Sequence, residues 1–235
     1  MSAPTDAARF DPRSAPVRPR GRRLVAGTAV TVTSWALALT AIVMAIVVGP
    51  PYAEEGDFTA VYLGYAIVWG GVAGIIVSRG ARLVGVILAV QSIGAGLSCV
   101  LAVLLRAGLD DPAALGLLAH VADRPWIPGA LASFSVMPLL LTSLPLSRWL
   151  RALVGLGLVL ATVPVVLAVF RQREGAPANP LAIPDDVVQE VLRTTIIVAF
   201  TASVALAIVT LGVVAWRRWA GPLSDRAGQG WIEVG

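Results

Sequence analysis

Six apolar stretches constrain this chain more than any other feature. They are Leu24–Val48, Ala60–Ser78, Leu83–Leu105, Trp126–Leu146, Ala152–Phe170 and Thr194–Trp216, and none contains Asp, Glu, Lys, Arg or His. A helix needs about 20 mainly apolar residues to cross a hydrocarbon core of roughly 30 Å, and each stretch is close to that length. The expected fold is therefore all-α, a polytopic membrane protein with a bundle of six transmembrane helices. Composition agrees: 57% of the residues are hydrophobic, 14% are charged, and the mean hydropathy is +0.82. A soluble domain is usually about a quarter charged, so a soluble enzyme and a disordered chain are both excluded. One cysteine, Cys99, excludes a disulfide scaffold.

Three regions follow. Residues 1–23 form an Arg-rich tail without apolar periodicity, expected to be disordered and cytoplasmic. Residues 24–216 hold the six spans. Residues 217–235 form a short cytoplasmic tail. Arg22-Arg23 reads as a positive flank for the first helix; the apolar run after it is too long for a signal-peptide core.

All 18 basic residues are Arg. With the N-terminus inside and six alternating spans, the inside segments hold 13 of them against four acids, and the outside segments hold five against ten. Arginine excess marks the cytoplasmic side, so both termini are expected in the cytoplasm and the protein in the plasma membrane. The same distribution argues against nucleic acid as a partner, because the arginines flank apolar segments instead of covering one face of a domain.

The outside loops are short. Gly49–Thr59 is acidic. Arg106–Pro125 contains Asp110-Asp111-Pro112, a good helix start, followed by Leu115, Leu117, Leu118 and Val121 for a short surface helix. Arg171–Arg193 contains Pro177, Pro180 and Pro184, and then Asp185-Asp186 ahead of Val187, Val188, Val191 and Leu192. That spacing starts the last helix before its span.

Chemistry-bearing residues are scarce. Spans without ionisable groups disfavour a proton-coupled transporter. One His and one Cys on different segments cannot build a metal site, so no catalytic, cofactor or metal residues are assigned. Gln91, Ser92 and Ser98 in the third span are the candidate intramembrane polar or coupling residues, and an interhelical hydrogen bond is the preferred reading of Gln91 and Ser92. Thr31, Thr33 and Ser34 read the same way. Cys99 reads as a packing residue. His120 is the candidate pH-sensitive group, against the preferred alternative of an ordinary interfacial polar residue. Gly70 and Gly74, like Gly94 and Ser98, have the spacing of close helix approach, within the bundle or between copies. Pro138 is expected to kink the fourth span. Trp126, Trp149, Trp216 and Trp219 are expected in the interfacial aromatic belt.

Three stretches together carry a resemblance. They are RGARLVGVILAVQSIGAGLSCVL (Arg79–Leu101), PLLLTSLPLSRWLR (Pro138–Arg151) and NPLAIP (Asn179–Pro184). Their order and spacing resemble the multi-span N-terminal sensor region of actinobacterial sensor histidine kinases. In that family a span ends in a stretch like LLFPDGRLPSRRWR and a later loop carries NPLG(L/I)P. Pro145, Ser147, Arg148, Trp149 and Arg151 carry the first match; Asn179, Pro180, Leu181 and Pro184 carry the second. Thr142-Ser143 stands where the family has Pro-Asp-Gly, and the family's phosphoacceptor helix and ATP-binding domain have no counterpart in these 235 residues. The resemblance implies a non-catalytic sensory or regulatory region in two-component signal transduction. Its partners would be the lipid bilayer and either a second copy or a partner membrane or kinase protein. Two other readings stay open: a small transporter or channel for a neutral solute, using Gln91, Ser92, Ser98, Thr142 and Thr201, and a structural subunit packed against a partner.

Overall fold

A computed structural model of the chain describes residues 20–50, 59–141 and 147–220. Those residues form eight helices and no strand: α1 (Arg20–Val48), α2 (Thr59–Arg79), α3 (Arg82–Ala107), α4 (Pro112–Val121), α5 (Ile127–Ser135), α6 (Met137–Leu140), α7 (Arg148–Val169) and α8 (Asp186–Ala220). Among them α1, α2, α3, α7 and α8 are long and apolar enough to cross a membrane. This is the architecture of a helical membrane protein.

The fourth expected span departs from a single helix. Its described part is α5 and α6, nine and four residues, separated at Val136. Pro138 is the cause. It has no N–H to return to the carbonyl four residues back, and its ring crowds that carbonyl. Val136 sits at φ −114°, ψ −41°, and its own N–H still reaches Ala132 O at 2.9 Å. Helical turns therefore continue on both sides of a local bend. Thr142 and Pro145 lie outside the described residues.

Helix ends follow local chemistry. The α1 helix takes in Arg20–Arg23, the end of the expected disordered tail; Arg is a good helix former, so the charged flank extends the apolar run. The α2 helix stops at a Schellman turn: Gly80 (φ +91°) donates to Val77 O at 3.0 Å, and Ala81 N donates to Ile76 O at 3.3 Å. Asp111 caps α4 by accepting from Ala113 N at 2.9 Å. Ser147 caps α7 by accepting from Leu150 N at 3.3 Å. Asp185 caps α8 through Val188 N at 2.9 Å.

The α3 helix is the centre of the bundle. Over its most apolar stretch 56% of the residues are buried, against 17% in α1. On one side it packs with α1 and α2; on the other it meets α5, which in turn packs on α7 and α8. Small residues set the first contact. A Cβ at Gly70 would lie 2.6 Å from Ser34 Cβ, and one at Gly74 would lie 2.7 Å from Gly27 O. The Gly70–Gly74 pair therefore serves α1 against α2 within this chain. Gly129 brings α5 onto the α3 backbone in the same manner, its Cβ position lying 2.5 Å from Gln91 Cα. In lipid, such van der Waals contact replaces the hydrophobic effect as the force between helices.

Candidate functional site

Two polar assemblies stand out, one inside the bundle and one at the end of α7. Inside, α3 offers side chains to both neighbours. Ser92 Oγ lies 3.0 Å from Ser34 Oγ on α1. Gln91, almost fully buried, has its Oε1 2.8 Å from Ser133 Oγ on α5. Ser133 Oγ is also 2.8 Å from Gly129 O, so its one proton serves either acceptor. Thr31 donates across to Gly70 O at 3.2 Å, while Thr33 and Thr201 are exposed. Ser98 is completely buried, and its Oγ has no hydrogen-bond partner among the described residues. Cys99 is completely buried, with its Sγ 3.6 Å from Thr59 O. The arrangement ties α3 to α1 and α5 by side-chain pairs one residue apart in sequence. Ser133 was not singled out from sequence; its only signal is the small-residue spacing with Gly129.

The second assembly is a polar cap built on the loop between α7 and α8. Asn179, buried, is its organiser. Its Nδ2 donates to Val169 O at 2.8 Å and Arg171 O at 3.2 Å, closing carbonyls at the end of α7, and its Oδ1 accepts from Leu181 N at 3.0 Å. Gln172 Oε1 accepts from Asn179 N at 2.8 Å, and Gln172 Nε2 donates into the loop at Ala176 O and Pro177 O. Gln189, in the first turns of α8, bonds Gln172 N at 2.9 Å, Phe170 O at 3.2 Å and Ile183 O at 2.8 Å. The start of α8 is thereby tied to the end of α7. Pro180, Leu181 and Pro184 lie in this loop, with Leu181 exposed. Within the NPLAIP stretch Asn179 is the residue whose side chain makes hydrogen bonds.

The α4 helix closes the cap. Gly116 sits so tightly on Ala178 O that a Cβ has no room there. One turn on, His120 is fully buried, its Nδ1 2.7 Å from Gly116 O and its Nε2 3.0 Å from Arg173 N. The histidine is thus an internal bonded group and not a surface one. Arg124 donates to Ala168 O, a carbonyl at the end of α7. Burial lowers its pKa; Asp123 opposes this, and Arg173 and Arg171 add to it. An arginine stays charged under any ordinary condition. Asp123 lies 3.7 Å from Arg124 and 3.6 Å from Arg173. Gln172, Gln189, Gly116 and Arg124 are parts of this cap that sequence reasoning missed.

At the opposite end of the bundle, Ser147 is the α7 cap, and Arg148, Trp149 and Arg151 are exposed on its first turn. Trp149, Trp216 and Trp219 are likewise exposed at the matching ends of α7 and α8. Trp126 is half-buried at the start of α5. Its ring packs 5.4 Å from Tyr62 and 6.2 Å from Tyr65 on α2, and its Nε1 donates to Asp123 O. Among the described residues, no three His, Cys, Asp or Glu side chains gather where they could hold a metal ion. Five helices long and apolar enough to cross a membrane mark a helical membrane protein. Comparison with protein-family models, curated proteins and solved structures finds no match.

Proposed function

We propose that the chain is a membrane sensory or regulatory region of the kind found in sensor histidine kinases, with no catalysis of its own. Six passes place both termini in the cytoplasm, α5 and α6 beginning a bent fourth pass. Helix directions support this: α5 runs antiparallel to α3, as residues 91–94 meet residues 125–133 in reverse order. The charge asymmetry of the flanks supports the orientation.

One observation carries the reading. The loop with the NPLAIP stretch is folded against α4 and is bonded through Gln189 to α8, a single helix of 35 residues. At ~1.5 Å per residue that helix is about 52 Å long, well over the roughly 30 Å of a hydrocarbon core. A change in the cap therefore has a continuous route to the far end of α8. A stimulus acts by favouring one packing of the cap or core over another, and only to the extent of its differential affinity. Two of the residues a polar solute path would use, Gln91 and Ser92, are paired with Ser133 and Ser34, which gives less support to such a path. The test fuses a kinase core after Trp219 in the full chain. Output that changes with an extracellular or membrane condition is expected. Output fixed under every condition, with the chain correctly inserted, overturns the proposal.

A further inference from the structure

The geometry points to His120 as an acid-released latch between α4 and the 170–185 loop. The ring is fully buried, and its two nitrogens have different roles. A backbone N–H can only donate, so the Nε2 that faces Arg173 N at 3.0 Å carries a lone pair. The proton of the neutral ring then sits on Nδ1 and is donated to Gly116 O at 2.7 Å. The closed cap accepts this one neutral tautomer. A second proton, on Nε2, sets two N–H groups against each other. It also strips the Arg173 amide of its acceptor and places a charge on a fully buried ring.

Four of the six charged side chains on the neighbouring segments are arginines. Arg171, Arg173 and Glu174 lie on the loop, Asp123 and Arg124 on the turn after α4, and Arg106 at the end of α3. Among the described residues neither ring nitrogen is bonded to a carboxylate, and Asp123 is already engaged by Arg124 and Arg173. Once exposed, an imidazole takes its second proton in mildly acidic solution, so acid favours the released ring. Release separates α4 from the loop at the Gly116–Ala178 contact, and Gln172 and Gln189 carry the loosening to the start of α8. This deepens the sensory reading by naming protons at the cap as the stimulus.

The latch is tested in the full chain in lipid nanodiscs, without any kinase. The single histidine gives one imidazole to follow by nitrogen-15 resonance, beside hydrogen exchange of the backbone amides. At neutral pH the expected ring is protonated at Nδ1 with Nε2 an acceptor, and the Arg173 amide is protected. Acidification to about pH 5 is expected to produce the imidazolium together with roughly tenfold faster exchange across the loop, corrected for intrinsic rates, and none in α1–α3. An imidazolium with Arg173 still protected overturns the latch, and so does a ring that stays neutral with the loop closed. In His120→Gln the loop is expected to lose its pH response; acid release persisting in that variant assigns the response to another group. An opening latch with a silent fused kinase removes the sensory reading and leaves the latch intact.

Discussion

The α1–α2–α3 core and the polar cap solve the same problem by opposite means. In the core, helices approach because side chains are missing at Gly27, Gly70 and Gly74, and a few hydroxyls link the backbones brought together. In the cap, Asn179, Gln172, Gln189, His120 and Arg124 reach across gaps to close loop and helix-end carbonyls and amides. The medium explains the difference. Lipid gives helices no hydrophobic reason to associate, so contact area decides. A loop has backbone groups without regular partners, so side chains with paired donors and acceptors decide.

Several substitutions can break this contrast. The largest effect is expected from Gly74→Leu, whose side chain meets Thr31 and the Gly27 carbonyl. Overpacking of this kind costs about 3 kcal/mol, read as a lowered Tm in detergent. Gly64→Leu or Gly155→Leu, with open space around them, should change stability by no more than ~0.5 kcal/mol. Equal effects at the three sites would end the claim that close approach holds the core. Next, Asn179→Ala leaves two half-buried carbonyls at the end of α7 without these donors. A cost of about 2 kcal/mol is expected, expressed as faster amide exchange in the loop with the core unchanged. A uniform loss of protection would mean that core and cap form one cooperative unit.

Smaller effects sharpen the picture. Ser147→Ala removes the α7 cap, for which about 1 kcal/mol is typical; fraying should be confined to the first turn of α7 in exchange measurements. Gln91→Leu removes the link to Ser133 and is expected to cost only ~0.6 kcal/mol, in line with average intramembrane hydrogen bonds. A much larger loss of Tm would show that the side-chain pairs, and not the glycine contacts, hold α3 to α5.

What was legible in the sequence follows the same division. Run length locates the five long helices, because apolar residues in lipid leave the backbone little choice. The caps at Asp111 and the start of α8 ahead of Arg193 are local signals and read correctly. The break beside Pro138 is also a local signal, a proline inside an apolar run, and the sequence places it correctly. Composition puts Trp126 at a helix end but does not say that its ring packs on Tyr62 and Tyr65. The cap was largely invisible, since its bonds join residues far apart: Arg124 to Ala168, and Arg173 to His120. Asn179 could be noticed, but nothing local says which carbonyls it closes.

The α8 helix contains no proline from Asp186 to Ala220, so every turn along it can keep its backbone bonds. Mechanically it is a lever. Pivoting about 5° at one end of a rod about 52 Å long swings the other end by ~4.5 Å. That is comparable to one helical turn, and such a motion needs no rearrangement inside α8 itself. The bonds of Gln189 fix where the arm is gripped, and Trp216 and Trp219, exposed at the opposite end, mark the tip whose travel is greatest.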